Sequence, residues 1–341
     1  MICLGIESTA HTFGVGICDD KGRILANKKS LFETKAGGLI PRKVADHHAD
    51  VCDKMIKEAL EEANTNLNKI NKNASKTLEM KDIDVIAYSS SPGIGHMLRV
   101  GAMCARSLAI IYKKPLVEVN HCIAHLEIGR LLTNAKDPVF LYASGANTQI
   151  ITFHNGKYIV VGETLDNGIG NFLDAFAREL DLGFPGGPSI EKLAKEGKNY
   201  IELPYAVKGM DVSFGGILTK LKTLYKKNLH AKEDLCYSLQ ETAFAMLTEV
   251  VERCLAFSNK DEVLLGGGVA CNKRLQEMIR IMCKERGAKA YFLDNQYNVD
   301  NGAMIAWTGV LVYKTGKTVE IKNAKIHPYL RTDDITISWR R

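Results

Sequence analysis

One plan occurs twice along this chain, and it limits the possible folds more than any other feature. Residues 2–6, ICLGI, read as a buried strand; the polar loop ESTAHT follows, then a second strand, FGVGICDD. Asp20, Lys21 and Gly22 turn that strand into a third, RILANKKS. Much later VFLYA (139–143) makes a strand, SGANT a loop of small polar residues, and QIITF the next strand; His154, Asn155 and Gly156 turn it into KYIVVGETL. The Asn-Gly pair is a strong hairpin signal, because both residues tolerate the positive φ of a tight turn. Helical stretches follow each unit. The expected fold is therefore α/β, with two similar halves over residues 1–135 and 136–341 and a cleft between them.

Apolar positions recur at helical spacing over 43–64 and near 97–112, 121–132, 170–181, 188–197, 233–257 and 270–286. The strand signals VIAYSS, PLVEV, VLLGG and KAYFL separate several of these. NTNLNKINKNASK (64–76) is rich in Asn and Lys and reads as a surface excursion. The best apolar run, VGAMCARSLAIIY, carries Arg106 in its middle and is too short to span a bilayer. MICLGIEST opens directly as a strand, without the basic flank of a secretory leader. Nine cysteines without a C-x-x-C pair point to a reducing cytoplasm. The formal charge of +6 permits nucleic-acid binding without requiring it. KGMDVSFGGILTKLKTLYKK gathers Lys208, Lys220, Lys222, Lys226 and Lys227, which reads as a basic helix. Arg42, Lys43, Arg340 and Arg341 add to the basic population.

Three groups of motifs carry chemistry. In NHCIAH (120–125), His121 and His125 project from one helix face, as a metal pair or as one buried and one solvated imidazole. A zinc peptidase is disfavoured, since its H-E-x-x-H motif needs Glu as general base where this chain has Cys122. Two imidazoles leave a metal under-coordinated, so further ligands must come from distant sequence. In VLLGGGVACNKRL (263–275) a strand meets Gly266, Gly267 and Gly268, where backbone can approach a flat or phosphorylated ligand; a tight strand-to-helix turn is the plainer reading. Asn272 is expected one turn into the following helix, and no phosphate-binding P-loop occurs. Segment 162–194 has glycines at 168, 170, 183, 186 and 187. Asp174 and Arg178, four apart, read locally as a surface ion pair, and Glu191 as a carboxylate complementing a helix dipole. Together these turns fit a nucleotide cleft between the halves.

The halves resemble the actin–hexokinase–Hsp70 superfold. GIEST (5–9), PRKVADHH (41–48), SPGIGHMLRVG (91–101), NHCIAHLE (120–127) and YASGANTQ (142–149) resemble the motifs of one family within it. ETLDNGIGNFLDAFAREL, GFPGGPSIEKLA, KGMDVSFGGILT (208–219), LGGGVACNKRL and NVDNGAMIAW (298–307) continue the likeness across nearly the whole chain. That family is the universal tRNA threonylcarbamoyladenosine transferase, the catalytic subunit of the KEOPS complex in archaea and eukaryotes. Ala146 stands where the family commonly has glycine, Gly215 where it has serine, and serines and His96 where SSSPGIGHM departs from its usual start and proline.

The resemblance implies transfer of a threonylcarbamoyl group from threonylcarbamoyl-AMP to the exocyclic amine of the adenosine beside the anticodon. It implies that an ATP or adenylate ligand touches Tyr142, Ala143, Ser144, Gly145, Ala146, Asn147 and Thr148, with Asp174 on the ribose, Gly187 and Glu191 on the nucleoside, and Gly267, Gly268 and Asn272 on the opposite wall. Asp300, which alone reads as a helix N-cap, becomes a third metal ligand and Tyr142 a possible fourth. The ion is then one divalent metal, iron before zinc because of the phenolate. Glu7 is the candidate for managing the amine's proton, or else a buried carboxylate that orders its loop. Lys208, Lys220, Lys222 and Arg42 are the candidates for tRNA phosphates. The implied partners are tRNA, a small kinase-like ATPase subunit, a small dimerising subunit and other KEOPS components, docking on 43–64 and 97–112. A small-molecule kinase of the same superfold and a non-catalytic nucleotide-gated scaffold are the competing functions.

Overall fold

The computed structural model describes residues 1–34, 39–70 and 77–340. In the first half, β1 (Ile2–Glu7), β2 (Thr12–Asp19) and β3 (Ile24–Leu31) form an antiparallel meander. Helix α1 (Pro41–Ile70) leads to β4 (Val85–Ser91), α2 (Gly95–Tyr112), β5 (Leu116–Asn120) and α3 (His121–Thr133). β4 joins β1 in parallel and β5 joins β4 in parallel, giving the order β3-β2-β1-β4-β5.

The second half repeats this plan. β6 (Val139–Ala143), β7 (Thr148–His154) and β8 (Lys157–Glu163) form the meander, and α4 (Ile169–Glu179) and α5 (Gly187–Ala194) follow. A small hairpin of β9 (Val207–Lys208) and β10 (Asp211–Val212) precedes α6 (Gly215–Lys226) and α7 (Lys232–Ser258). Then come β11 (Glu262–Gly266), α8 (Lys273–Glu285), β12 (Lys289–Tyr291), α9 (Asn295–Asn298) and α10 (Gly302–Lys314). β11 lies parallel to β6 and β12 parallel to β11, so the order β8-β7-β6-β11-β12 matches the first sheet strand for strand. Asn155 and Gly156 take φ of 47° and 73°, the positive values that the Asn-Gly signal demands.

Alternation along the strands explains the layers. Leu4 and Ile6 of β1 pack with Met55, Ala59, Ala102 and Ala105 of α1 and α2, whereas Cys3 packs with Met304, Ile305 and Ala306 of α10. On the second sheet Leu141, Ile150 and Val263 face the large core built on α4 to α8. Phe140, Tyr142 and Leu264 face Cys122, Ile123 and Leu126 of α3. Helices α3 and α10 thus fill the space between the two sheets, which is why His121 to Gly129 are all buried.

Helix α10 comes from the far end of the chain yet lies on the first sheet, and glycines make that approach possible. Gly5 and Gly16 are cross-strand partners; a Cβ at Gly16 would stand 2.2 Å from the Ala303 nitrogen, and one at Gly302 2.1 Å from the Gly16 nitrogen. The start of α10 is thereby pressed against β1 and β2. Helix α1 runs through Asn64–Ile70, where composition had pointed to a surface excursion. The Asn64 side chain exchanges hydrogen bonds with both backbone groups of Leu78, and Asn66 donates to the Leu25 carbonyl, so tertiary contacts outweigh the weak helix propensity of asparagine. The remainder of that stretch, 71–76, lies outside the described residues, as does Arg341.

Candidate metal and nucleotide site

Helix α3 starts sharply because the Asn120 side chain caps it, accepting from the Ile123 N–H at 3.1 Å. That fixes His121 and His125 one turn apart in the first half of the helix, with ring centroids 4.7 Å from each other. Glu7, at the end of β1 and fully buried, orients the first ring: its Oε2 lies 2.9 Å from His121 Nδ1. Its Oε1 accepts from the Thr9 N–H at 2.7 Å and the Thr9 hydroxyl at 2.5 Å, and Thr9 Oγ1 is 3.2 Å from the same His121 nitrogen. With Nδ1 tied to a carboxylate, Nε2 is the His121 nitrogen that faces Asp300.

The third group arrives with α10. Asn301 caps this helix through the Met304 N–H at 3.0 Å, so the cap reading of Asp300 gives way to a different placement. Asp300 Oδ1 stands 3.4 Å from His121 Nε2 and 3.3 Å from His125 Nε2. One donor from each of the three residues lies within 4.8 Å of the others. Ligands bound at roughly 2.0–2.2 Å to a common ion stand about 3–3.5 Å apart, and the two distances from Asp300 match that spacing, so these donor types fit a divalent ion. Burial disfavours a charge on His121, yet Glu7 and Asp300 raise its pKa well above the ordinary value. Burial dominates at His125 and lowers it. Asp300, despite its own burial, is held well below the usual carboxylate range by the two imidazoles. Tyr142 packs its ring on His125 with centroids 5.2 Å apart, and burial pushes its hydroxyl well above the ordinary pKa.

The glycine turns adjoin this trio. Strand β6 runs from Tyr142 directly into the Ser144–Asn147 loop, and Gly266 of β11 packs beside the Cβ of His125. Gly170 N donates to Ser144 O at 3.0 Å and Asn171 N to Gly145 O at 2.9 Å, which clamps that loop to the start of α4. Gly267, at φ +93°, turns the chain where any Cβ would meet the Ala143 carbonyl oxygen at 2.5 Å. Gly145, Ala146 and Gly268 face solvent, while Ala143 is buried. Asp174 accepts from the Gly186 N–H at 2.7 Å and makes no ion pair with Arg178 within 4 Å, which replaces the surface-pair reading; Gly187 is the next residue and half-buried. Asn272 is the N-cap of α8 rather than a residue one turn inside it, accepting from Arg274 N and Leu275 N and donating to Gln240. Glu191 reaches across to the Lys273 N–H at 3.1 Å, so it serves α8 and not its own helix dipole. The buried Thr148 hydroxyl accepts from Ile169 N at 2.7 Å. From the first half, the His11 ring packs edge-on against Phe184 at 5.8 Å, so the two walls meet.

The basic residues are scattered. Arg42, Lys43, Lys208, Lys220 and Lys227 are exposed, whereas Lys222 and Lys226 pair with Glu179 at 3.5 and 3.6 Å. Arg340 is folded away against Tyr158 and Asp137. Sequence reasoning missed Thr9 as a partner of Glu7 and His121, and Asn301 as the cap of α10. The sole signal was position: Thr9 lies two residues past Glu7, and Asn301 adjoins Asp300.

Two sheets of matching topology, with α3 and α10 packed between them, give the chain a fold of the actin–hexokinase–Hsp70 type. The HypF structure from Thermococcus kodakarensis superimposes with a TM-score of 0.62 at 15% identity, over 92% of this chain and 48% of that one. The family model described as TsaD, tRNA N6-adenosine threonylcarbamoyltransferase, matches residues 23–307. The tRNA N6-adenosine threonylcarbamoyltransferase of T. kodakarensis is 50% identical over 99% of this chain and all of its own length. A probable bifunctional tRNA threonylcarbamoyladenosine biosynthesis protein of Methanocaldococcus jannaschii is 49% identical over 99% of this chain, which spans 60% of that longer protein. The chain belongs to the tRNA N6-adenosine threonylcarbamoyltransferase family, and it is an enzyme of the transferase class.

Proposed function

We propose that this chain moves a threonylcarbamoyl group from threonylcarbamoyl-AMP to the exocyclic amine of the adenosine next to the anticodon, in tRNAs that read codons beginning with A. One observation carries the reading: imidazoles from α3 and a carboxylate from the start of α10 converge beside the Ser144–Asn147 and Gly267–Gly268 loops. The adenylate would lie on those loops, with Asp174, Gly187 and Glu191 along the second half. His121, His125 and Asp300, with Tyr142 a possible fourth ligand, would hold one divalent ion, iron before zinc. That ion would bind the threonyl carboxylate or hydroxyl and polarise the reacting carbonyl. Gly145, Ala146 and Gly268 are exposed residues with little or no side chain, which suits close approach to phosphate and to the oxygen that gains charge. Glu7 orients His121 and is our candidate for taking the proton that the amine sheds. An aromatic amine is a weak nucleophile, so holding it at the carbonyl carbon contributes more than a strong base would.

Exposed Lys208, Lys220 and Arg42 would meet tRNA phosphates, with Lys222 if its pair with Glu179 opens. A small kinase-like subunit and a small dimerising subunit would dock on α1 and α2, where Met103, Ile110 and Ile111 stand 55–67% exposed. We assign the division at 135/136 to function: the first part brings the histidines and the docking face, the second the glycine loops and Asp300. Among the described residues no helix is long and apolar enough to cross a membrane, and a cytoplasmic site of action follows from the tRNA substrate.

The test supplies labelled threonine, bicarbonate, ATP, an adenylate-forming enzyme and unmodified tRNA. Label is expected in tRNA, and only when this chain is present. Phosphorylation of a small acceptor without label in tRNA would overturn the reading in favour of a kinase. Unchanged tRNA labelling by His121→Ala would remove the metal trio from it.

A further inference from the structure

The two histidines of PRKVADHH touch neither the trio nor the glycine loops. His48 is fully buried, and its Nε2 lies 3.0 Å from the Ala10 carbonyl oxygen. A carbonyl can only accept, so Nε2 carries the proton and Nδ1 of the neutral ring is an acceptor. His47 Nδ1 stands 3.4 Å from His48 Nδ1 and therefore donates, which leaves His47 Nε2 to accept from the Ser30 hydroxyl at 3.0 Å. Each tautomer in the row Ser30–His47–His48–Ala10 is fixed by its neighbour. Phe13 packs edge-on against His48 at 5.5 Å and Phe32 against His47 at 5.8 Å.

The far end of the row is the loop that carries Glu7 and Thr9. Three successive carbonyls of this loop are taken by three different elements: Thr9 O by Ile94 N at 2.9 Å, Ala10 O by His48, and His11 O by Phe32 N at 2.9 Å. His48 is the side-chain member of that set, and it ties the loop to α1.

We propose that His48 is a positioning residue: its imidazole, locked by His47 and Ser30, fastens the Glu7–His11 loop to α1 and so holds Glu7 and Thr9 against His121. The claim about the loop stands on the hydrogen bonds; its consequence for metal rests on the function proposed above.

Two variants of the full chain separate hydrogen bonding from packing. In His48→Gln the amide Nε2 can reach the Ala10 carbonyl, while His48→Leu fills the space without a donor. Hydrogen–deuterium exchange on metal-free protein should show amides of residues 8–12 exchanging about tenfold faster in the Leu variant. Exchange in β6 and β7 should be unchanged, and the Gln variant should return the loop towards wild type. Titration with Co²⁺, read by its visible absorption, should show affinity lowered about tenfold in the Leu variant and recovered in the Gln variant. Wild-type loop exchange in His48→Leu overturns the proposal, as does a Gln variant no better than Leu. If His48→Leu does not fold, His47→Leu is read the same way, with faster exchange of 8–12 expected and unchanged exchange contradicting. A wild-type protein that ignores Co²⁺ would remove the metal reading, while loop exchange would still decide the role of His48.

Discussion

Asp300 and Asn301 are adjacent residues with the same helix-capping chemistry, and their side chains do different things. Asn301 accepts from the Met304 N–H, and Asp300 turns to the two imidazoles. From the sequence either could cap, since both are favoured N-cap residues, so only the family likeness singled out Asp300. Spacing alone put both histidines on one helix face, because four residues is about one helical turn, and left open whether they act as a pair. His48 gives a prediction at this scale. Burial lowers its pKa to about 4, against an ordinary value near 6.5, and the neighbouring His47 and His11 act in the same direction while the Ala10 carbonyl opposes. The unfolded chain therefore binds a proton that the folded chain refuses between those two values, so stability from this group is present above pH ~6.5 and is lost as pH falls towards 4. At roughly 1.4 kcal/mol per pH unit the full loss is on the order of 3 kcal/mol. Denaturant unfolding at pH 7.5 and pH 4.5 should show a smaller decline for His48→Gln than for wild type. Equal declines would mean that the His48 ring is not held neutral.

Among the elements, α10 was the least legible. Its helical character is readable in NGAMIAW, but order along the chain does not reveal which sheet a helix covers. A physical signal was nonetheless present. Gly14 and Gly16 alternate on one face of β2, and Gly5 is the cross-strand partner of Gly16, so β1 and β2 offer a strip without side chains. A helix beginning with glycine fits that strip. Gly16→Ala would set a Cβ 2.2 Å from the backbone nitrogen of Ala303, and no side-chain rotation can relieve a clash with backbone. It should destabilise the chain by about 1–3 kcal/mol or more, measured as a lower denaturant midpoint, and weaken Co²⁺ binding because Asp300 sits at the start of the displaced helix. An unmoved midpoint would show that α10 does not pack so closely. Helix α1 shows the opposite failure: its Asn-rich end looked irregular, and Asn64 and Asn66 are instead spent on backbone groups of other segments.

At the scale of the whole molecule, duplication was the legible part. Strand, small-residue loop and hairpin occur twice in the sequence, and the two five-stranded sheets carry the same order. The sequence could not show that the halves exchange a helix, and that exchange is what brings distant residues together. His121 and His125 stand on the helix between the sheets, and Asp300 reaches them only because α10 returns to the first sheet. Metal analysis of anaerobically purified wild-type, Asp300→Ala and His121→Ala proteins probes this convergence directly. About one divalent ion per chain is expected in the wild type, and loss of it in both variants. Asp300→Ala protein that keeps its ion at wild-type stoichiometry would contradict a single site shared between the two halves.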